Sequence, residues 1–255
     1  MSARRTHRRW ALPTPLTIVT ALAGLLVCRT IAVTWLSYRD YFPPNFRADF
    51  LLGRQQHFFG AYQWAFYAHI IAGPLALASG LALMSESLRQ RFPAGHRRLG
   101  RALVLGVLLV VAPSGLWMAR YAATGAVAGI AFATLAIATA FCAAQGWRCA
   151  VRRQFAKHRR WMRRCFALLC SAVVLRVFGG LAEVLGVAGA YAWAAWLSWL
   201  LPLAFVELWA RFQKSAESIS SPPATVSMAL RVANSTLADN TIVRPSANAA
   251  RKMPG

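Results

Sequence analysis

The sequence predicts an all-α, polytopic integral membrane protein built as a bundle of six transmembrane helices. Three observations carry that prediction. Of the 255 residues, 58% are apolar and only 14% are charged, whereas a usual soluble domain is about 25% charged. The apolar residues fall in six continuous stretches, each near the ~20 residues that cross a hydrocarbon core. The 29 Lys and Arg far outnumber the 7 Asp and Glu, and they gather between the stretches. Continuous apolar runs, unlike alternating ones, select helices over barrel strands.

Residues 1–14 form a basic tail carrying Arg4, Arg5, Arg8 and Arg9. The first span follows over Pro15–Leu36. It resembles a signal peptide in having a basic segment before an apolar run, but no small-x-small site ends it, so it reads as retained. Arg29 near its outer end can snorkel to the interface. Residues 37–60 are the one sizeable outer segment, with Pro43-Pro44 and several aromatics, and are expected to lie against the membrane surface. His57 there reads as an exposed interfacial residue.

The second span is Ala61–Met84, the third 102–121, the fourth 126–147, the fifth 165–187 and the sixth 191–210. Residues 211–255, rich in Ser, Ala, Asn and Pro, lack apolar periodicity and read as a disordered cytoplasmic tail. Four segments share one side of a six-span chain: the N-terminal tail, the loops after spans two and four, and the C-terminal tail. They hold 23 of the 29 basic residues. The positive-inside rule therefore puts both termini in the cytoplasm, with the chain in the cell's inner membrane. The net charge of +22 then serves topology and attraction to anionic lipid headgroups at the cytoplasmic face. It does not point to nucleic acid, which would need a basic face on a soluble domain. An oligomer is compatible with such a bundle.

Polar groups inside spans mark sites. His69 lies in span two, roughly 12 Å below its outer end, and Arg176 lies in span five, roughly 16 Å from its inner end. In a core about 30 Å thick these depths nearly coincide. Glu183 stands two turns beyond Arg176 on the same face. His69, Arg176 and Glu183 are therefore the expected polar intramembrane site, either as a salt-bridged packing element or as a ligand site. Gly73, one turn from His69, leaves room for a flat ligand beside the imidazole, and Pro74 can bend the helix there. Ala68, Ala72, Ala76 and Gly80 form a small-residue ridge suited to close helix packing.

Two loops carry the same string, His96-Arg97-Arg98-Leu99-Gly100-Arg101 and His158-Arg159-Arg160-Trp161-Met162-Arg163. Each directly precedes a span running from inside to outside, so His96 and His158 sit at one depth. If spans three and five are neighbours, the pair can ligate haem axially or hold a quinone or an anion beside the arginines. Arg-rich cytoplasmic loops also arise from topology alone. The five Cys form no Cys-x-x-Cys pair and read as small helix packers; no metal site is expected. Phosphate-binding glycine loops, His-Glu-x-x-His and nucleophile elbows are not found. Span three holds Ser114-Gly115, but no His stands at a spacing that pairs with it, which argues against intramembrane proteolysis.

His69, His96, Arg97, Gly100, Arg101, His158, Arg159, Arg160, Trp161, Met162, Arg164 and Arg176 together resemble the pattern of the bacterial membrane proteins grouped as domain of unknown function 2306. The resemblance runs over about residues 61–180. It implies the multi-span architecture and brings no activity with it. Di-haem membrane cytochromes share a wider likeness, but they set four His in four helices at two depths, and here His69 has no partner His. Three functions stay open: a redox or cofactor protein binding haem b or quinone through His96, His158, His69 and Arg176; a non-catalytic scaffold, lipid-binding or assembly protein; and a small-solute transporter with His69, Arg176 and Glu183 along its path.

Overall fold

A computed structural model describes residues 15–220, apart from 49, 123 and 188. The chain falls into two compact units, residues 1–206 and 207–255. The described part is helical, with no strand among the described residues. Among the described residues, six helical segments are long and apolar enough to cross a membrane: Ala21–Asp40, Ala61–Met84, Pro93–Ala119, Ala126–Val151, Phe155–Val184 and Ala190–Gln213.

The helices are α1 (Pro15–Leu36), α2 (Gln55–Phe58), α3 (Ala61–Met84), α4 (Glu86–Arg91) and α5 (Pro93–Gly106). A π-helical turn, Val107–Val111, joins α5 to α6 (Ala112–Ala119). Then come α7 (Ala126–Val151), α8 (Phe155–Leu169), α9 (Ser171–Val184) and α10 (Ala190–Ser220). Spans three and five each begin about ten residues earlier than hydropathy alone predicts. Pro93 at the first turn of α5 is preorganised for a helix start, and Ala, Lys, Arg and Met favour helix through the basic stretch of α8. Both His-Arg-Arg strings therefore lie on helices and not in loops.

In the second unit, α10 continues from Glu207 to Ser220, beyond the 210 boundary read from the sequence and into the segment assigned to the tail. Residues 207–220 hold no Gly or Pro to interrupt it. The rest of the expected tail, residues 221–255, lies outside the described residues, as does the basic segment 1–14.

Within the first unit, α3 contacts α1, α5, the π turn, α6 and α8, while α7 runs along α8. The core between α3, α5, α7, α8 and α10 is built from Leu83, Val104, Val107, Ala143, Cys165, Leu168 and Trp199. Close approach depends on small residues. Gly80 faces Phe166, and Gly146 faces Met162, whose sulfur would stand 2.5 Å from a Cβ placed there. Ala128 and Ala131 on α7 meet Ala195 on α10. Large apolar side chains such as Leu109, Val184 and Trp193 point outward, which suits a lipid surroundings.

Residues 37–60 fold back over the end of the bundle instead of spreading from it. Leu51 and Phe58 are fully buried with Tyr62 and Phe66 of α3, and Tyr41, Phe46, Phe50 and Tyr121 pack around them. The Tyr67 hydroxyl donates to the Tyr41 carbonyl at 2.9 Å. Pro74 has no N–H to offer the carbonyl four residues back. That carbonyl belongs to Ile70, and the Tyr38 hydroxyl donates to it. A backbone acceptor inside a membrane helix thus finds a partner, and the outer segment is tied to α3. His57 is correspondingly half-buried, its ring stacked 4.9 Å from that of Tyr121.

Candidate functional site

All six spans contribute to one cavity of about 320 Å³, which runs from the middle of the bundle toward its aromatic end. His69 on α3 and Arg176 on α9 both line it, together with Gly73 and Pro74. Gly73 has nothing within 4 Å of the place a Cβ would take, so the space beside the imidazole is open.

The orientation of His69 follows from its partners. Nδ1 stands 3.2 Å from the Val111 carbonyl oxygen and 3.1 Å from Ser114 Oγ. A carbonyl only accepts, so Nδ1 carries the proton and donates. Nε2 is then a bare lone pair. It has no hydrogen bond and is not among the buried unpartnered atoms, which leaves it open to the cavity. Gly115 lets α6 come this close: a Cβ there would lie 3.1 Å from His69 Cε1. The π turn at Val107–Val111 sets the phase of α6 that brings Val111, Ser114 and Gly115 against the ring. Single π turns inside α-helices recur at functional sites.

Ser114 has a His partner after all, although no sequence spacing indicated one. The pair is still not a nucleophile and base. Ser114 is buried, does not line the cavity, and donates its own proton to the Val110 carbonyl at 2.6 Å.

Arg176 Nη1 donates to the Ala172 carbonyl at 3.0 Å and Nη2 to Thr34 Oγ1 at 3.2 Å. Thr34 passes its own proton to the Thr30 carbonyl at 2.8 Å. No salt bridge joins Arg176 to Glu183. Glu183 is exposed near the end of α9 and does not line the cavity. The helical spacing that placed both on one face is correct, but the arginine turns toward α1 instead.

Two groups of the site had no mark in the sequence. Arg54, in the outer segment, lines the cavity; it donates to the Phe50 carbonyl and its guanidinium lies 4.5 Å over the Phe50 ring. Its Nε is buried without a partner. Tyr191, at the start of α10, feels the charges of both Arg54 and Arg176. Only the fold-back of residues 37–60 brings Arg54 inward, and no local pattern announces that.

His96 and His158 lie outside the cavity, within range for the charge of one to act on the other. Both are half-buried. His158 Nδ1 donates to the Gly146 carbonyl at 2.8 Å, and His96 Nδ1 is buried without a partner. Met162, from the same string, fills the notch at Gly146, and Trp161 packs edge-on against Phe141. No group of three or more potential metal ligands occurs among the described residues. Outside the spans, Glu86 is held below the usual carboxylate range by hydrogen bonds from Arg89 and Gln90.

A family model described as predicted membrane protein (DUF2306) matches residues 66–210. No curated protein and no solved structure matches the chain.

Proposed function

The chain belongs to the DUF2306 family of predicted membrane proteins, and we propose that it binds a quinol-class cofactor in the cavity between its spans. The observation that carries this reading is the tautomer of His69. With Nδ1 committed to the Val111 carbonyl, Nε2 offers an acceptor to the cavity, and an acceptor selects a hydroxyl donor. A quinol head supplies one, and its ring fits beside Gly73. Apolar walls from Ile31, Leu77, Leu135 and Leu175 suit the ring and the start of a tail. The volume stands at the lower end of the ~300–1,000 Å³ typical of small-molecule sites. His69 holds the head proton; Arg176 adds a fixed positive charge nearby.

The test is binding of a short-chain benzoquinol and of its oxidised form to the purified protein in mild detergent. The quinol binds about tenfold tighter, the worth of one hydrogen bond that the quinone cannot donate. His69→Asn keeps a donor for Val111 and removes the cavity acceptor, so the preference vanishes while the fold stays. Equal affinity for both forms in the wild type overturns the reading. Uptake of a solute that depends on Arg176 would favour a transporter, and a cavity that binds nothing would favour a scaffold.

A second reading rests on a different observation. His158, fixed through its Nδ1 hydrogen bond to Gly146, has Nε2 left as a ligand atom, and the charges of His158 and His96 act on each other. Together they suit one haem b at the basic end. A reduced-minus-oxidised visible spectrum of protein from haem-replete cells, lost in His158→Ala, supports it; a flat spectrum removes it. In either reading, the clustered arginines favour that end as the cytoplasmic one, against anionic lipid of the inner membrane.

A further inference from the structure

We infer that the aromatic end of the same cavity is a seat for an anionic headgroup, so that the ligand carries a carboxylate or phosphate besides its apolar part. The inference rests on the cavity being a ligand site, as proposed above. Its own evidence is the charge count of the wall. Arg54 and Arg176 both line the cavity, and no Asp or Glu lines it among the described residues. Arg176 stands in a membrane-spanning helix and Arg54 in the outer segment, and a guanidinium held in such surroundings without a carboxylate beside it, as here among the described wall residues, is costly. Charges so placed are usually paired; among the described wall residues they meet only neutral partners, Thr34 for Arg176 and Tyr62 for Arg54.

The two arginines are held ready. Arg54 is pinned through the Phe50 carbonyl and ring, and its buried Nε lacks an acceptor. Arg176 uses two of its five N–H groups on Ala172 and Thr34, which leaves others for a ligand. Both charges act on Tyr191, which also lines the cavity. Tyr62, beside Arg54, also lines the cavity. Fixed guanidinium forks with phenol donors match the planar oxygens of a carboxylate or the oxygens of a phosphate. The rest of the wall is mostly apolar, and about 320 Å³ suits one chain better than a two-tailed lipid. The chemistry is therefore a single apolar chain with an anionic head, which competes with the neutral quinol for the same cavity.

The experiment compares decanoate, decyl phosphate, decanol and the neutral short-chain benzoquinol, by calorimetry on the full chain in uncharged detergent. Decanoate or decyl phosphate is expected to bind at least about tenfold tighter than decanol, as charge-assisted hydrogen bonds imply. Whichever anion binds better identifies the head. Arg54→Gln and Arg176→Gln each erase most of that margin, and Arg54→Lys and Arg176→Lys restore part of it. Should a Gln variant fail to fold, the wild-type margin of anion over decanol still decides. If the benzoquinol binds but decanol matches the anions, the seat is refuted and the cavity reading stands. If no probe binds, both are refuted.

Discussion

Arg176 reaches across from α9 to the Thr34 hydroxyl of α1, 3.2 Å away. This bond joins the first and fifth spans beside the cavity, and it occupies the arginine that the sequence alone would have paired with Glu183. Thr34→Val keeps the shape of the side chain and removes the acceptor. It should destabilise the protein by about 1.5–3 kcal/mol, the range for hydrogen bonds to charged groups. Reversible unfolding of Thr34→Val, Arg176→Met and the double variant checks this, with a coupling of about 1 kcal/mol expected.

Gly115 and Gly73 flank the same imidazole and should respond differently. Alanine at 115 puts a Cβ 3.1 Å from His69 Cε1, tight enough to tilt the ring. Alanine at 73 meets nothing within 4 Å and only takes space from the cavity. Gly115→Ala should lower the melting temperature and the quinol preference together. Gly73→Ala should weaken ligand binding with the melting temperature unchanged or slightly raised, since alanine favours helix over glycine by about 1 kcal/mol. Equal melting shifts in the two variants would contradict this geometry.

Tyr38→Phe removes the donor that satisfies the Ile70 carbonyl. An acceptor left unpaired costs about 1–3 kcal/mol. The outer segment should then loosen from α3, which protease sensitivity between residues 37 and 60 would register. Unchanged protection would mean that the aromatic cluster alone holds the segment.

Glycine-to-alanine changes also separate yielding contacts from rigid ones. At Gly146 the obstacle is the Met162 side chain, at 2.5 Å; at Gly129 it is the Ala119 backbone carbonyl oxygen, at 2.8 Å. Met repacks and a carbonyl in a helix does not. Gly129→Ala should therefore cost more than Gly146→Ala, with overpacking penalties of about 1–3 kcal/mol as the scale. Met162→Ala should recover much of the loss at 146, and nothing comparable rescues 129.

Ser114 should resist serine-directed phosphonate probes. Its hydroxyl proton is committed to Val110 and its oxygen lies outside the cavity. Labelling that disappears in Ser114→Ala would reopen hydrolytic chemistry.

The architecture was legible because membrane helices announce themselves: a span needs a long apolar run, and six are present. The ends of spans three and five were less so, because helix propensity carries α5 and α8 on through arginines that hydropathy counts as loop. His69 and Arg176, expected at one depth from the fixed rise per residue, line one cavity. Glu183 failed because a shared face says nothing of which neighbour an arginine prefers. Arg54, Tyr191 and the Ser114–His69 contact depend on which helices adjoin and how an outer segment folds, and those are long-range facts without local signature.

The π turn at Val107–Val111 holds one residue more than a regular helix would. Each residue turns a helix by about 100°, so this insertion sets the azimuth of everything after it in the span. Before the turn Leu103 and Val104, and at its first residue Val107, keep their register with the core. At its last residue Val111, and after it Ser114 and Gly115, are rotated onto the imidazole. Deleting one residue from the turn would leave the lower half seated and swing the upper half away from His69, so the two halves of this span answer to separate constraints.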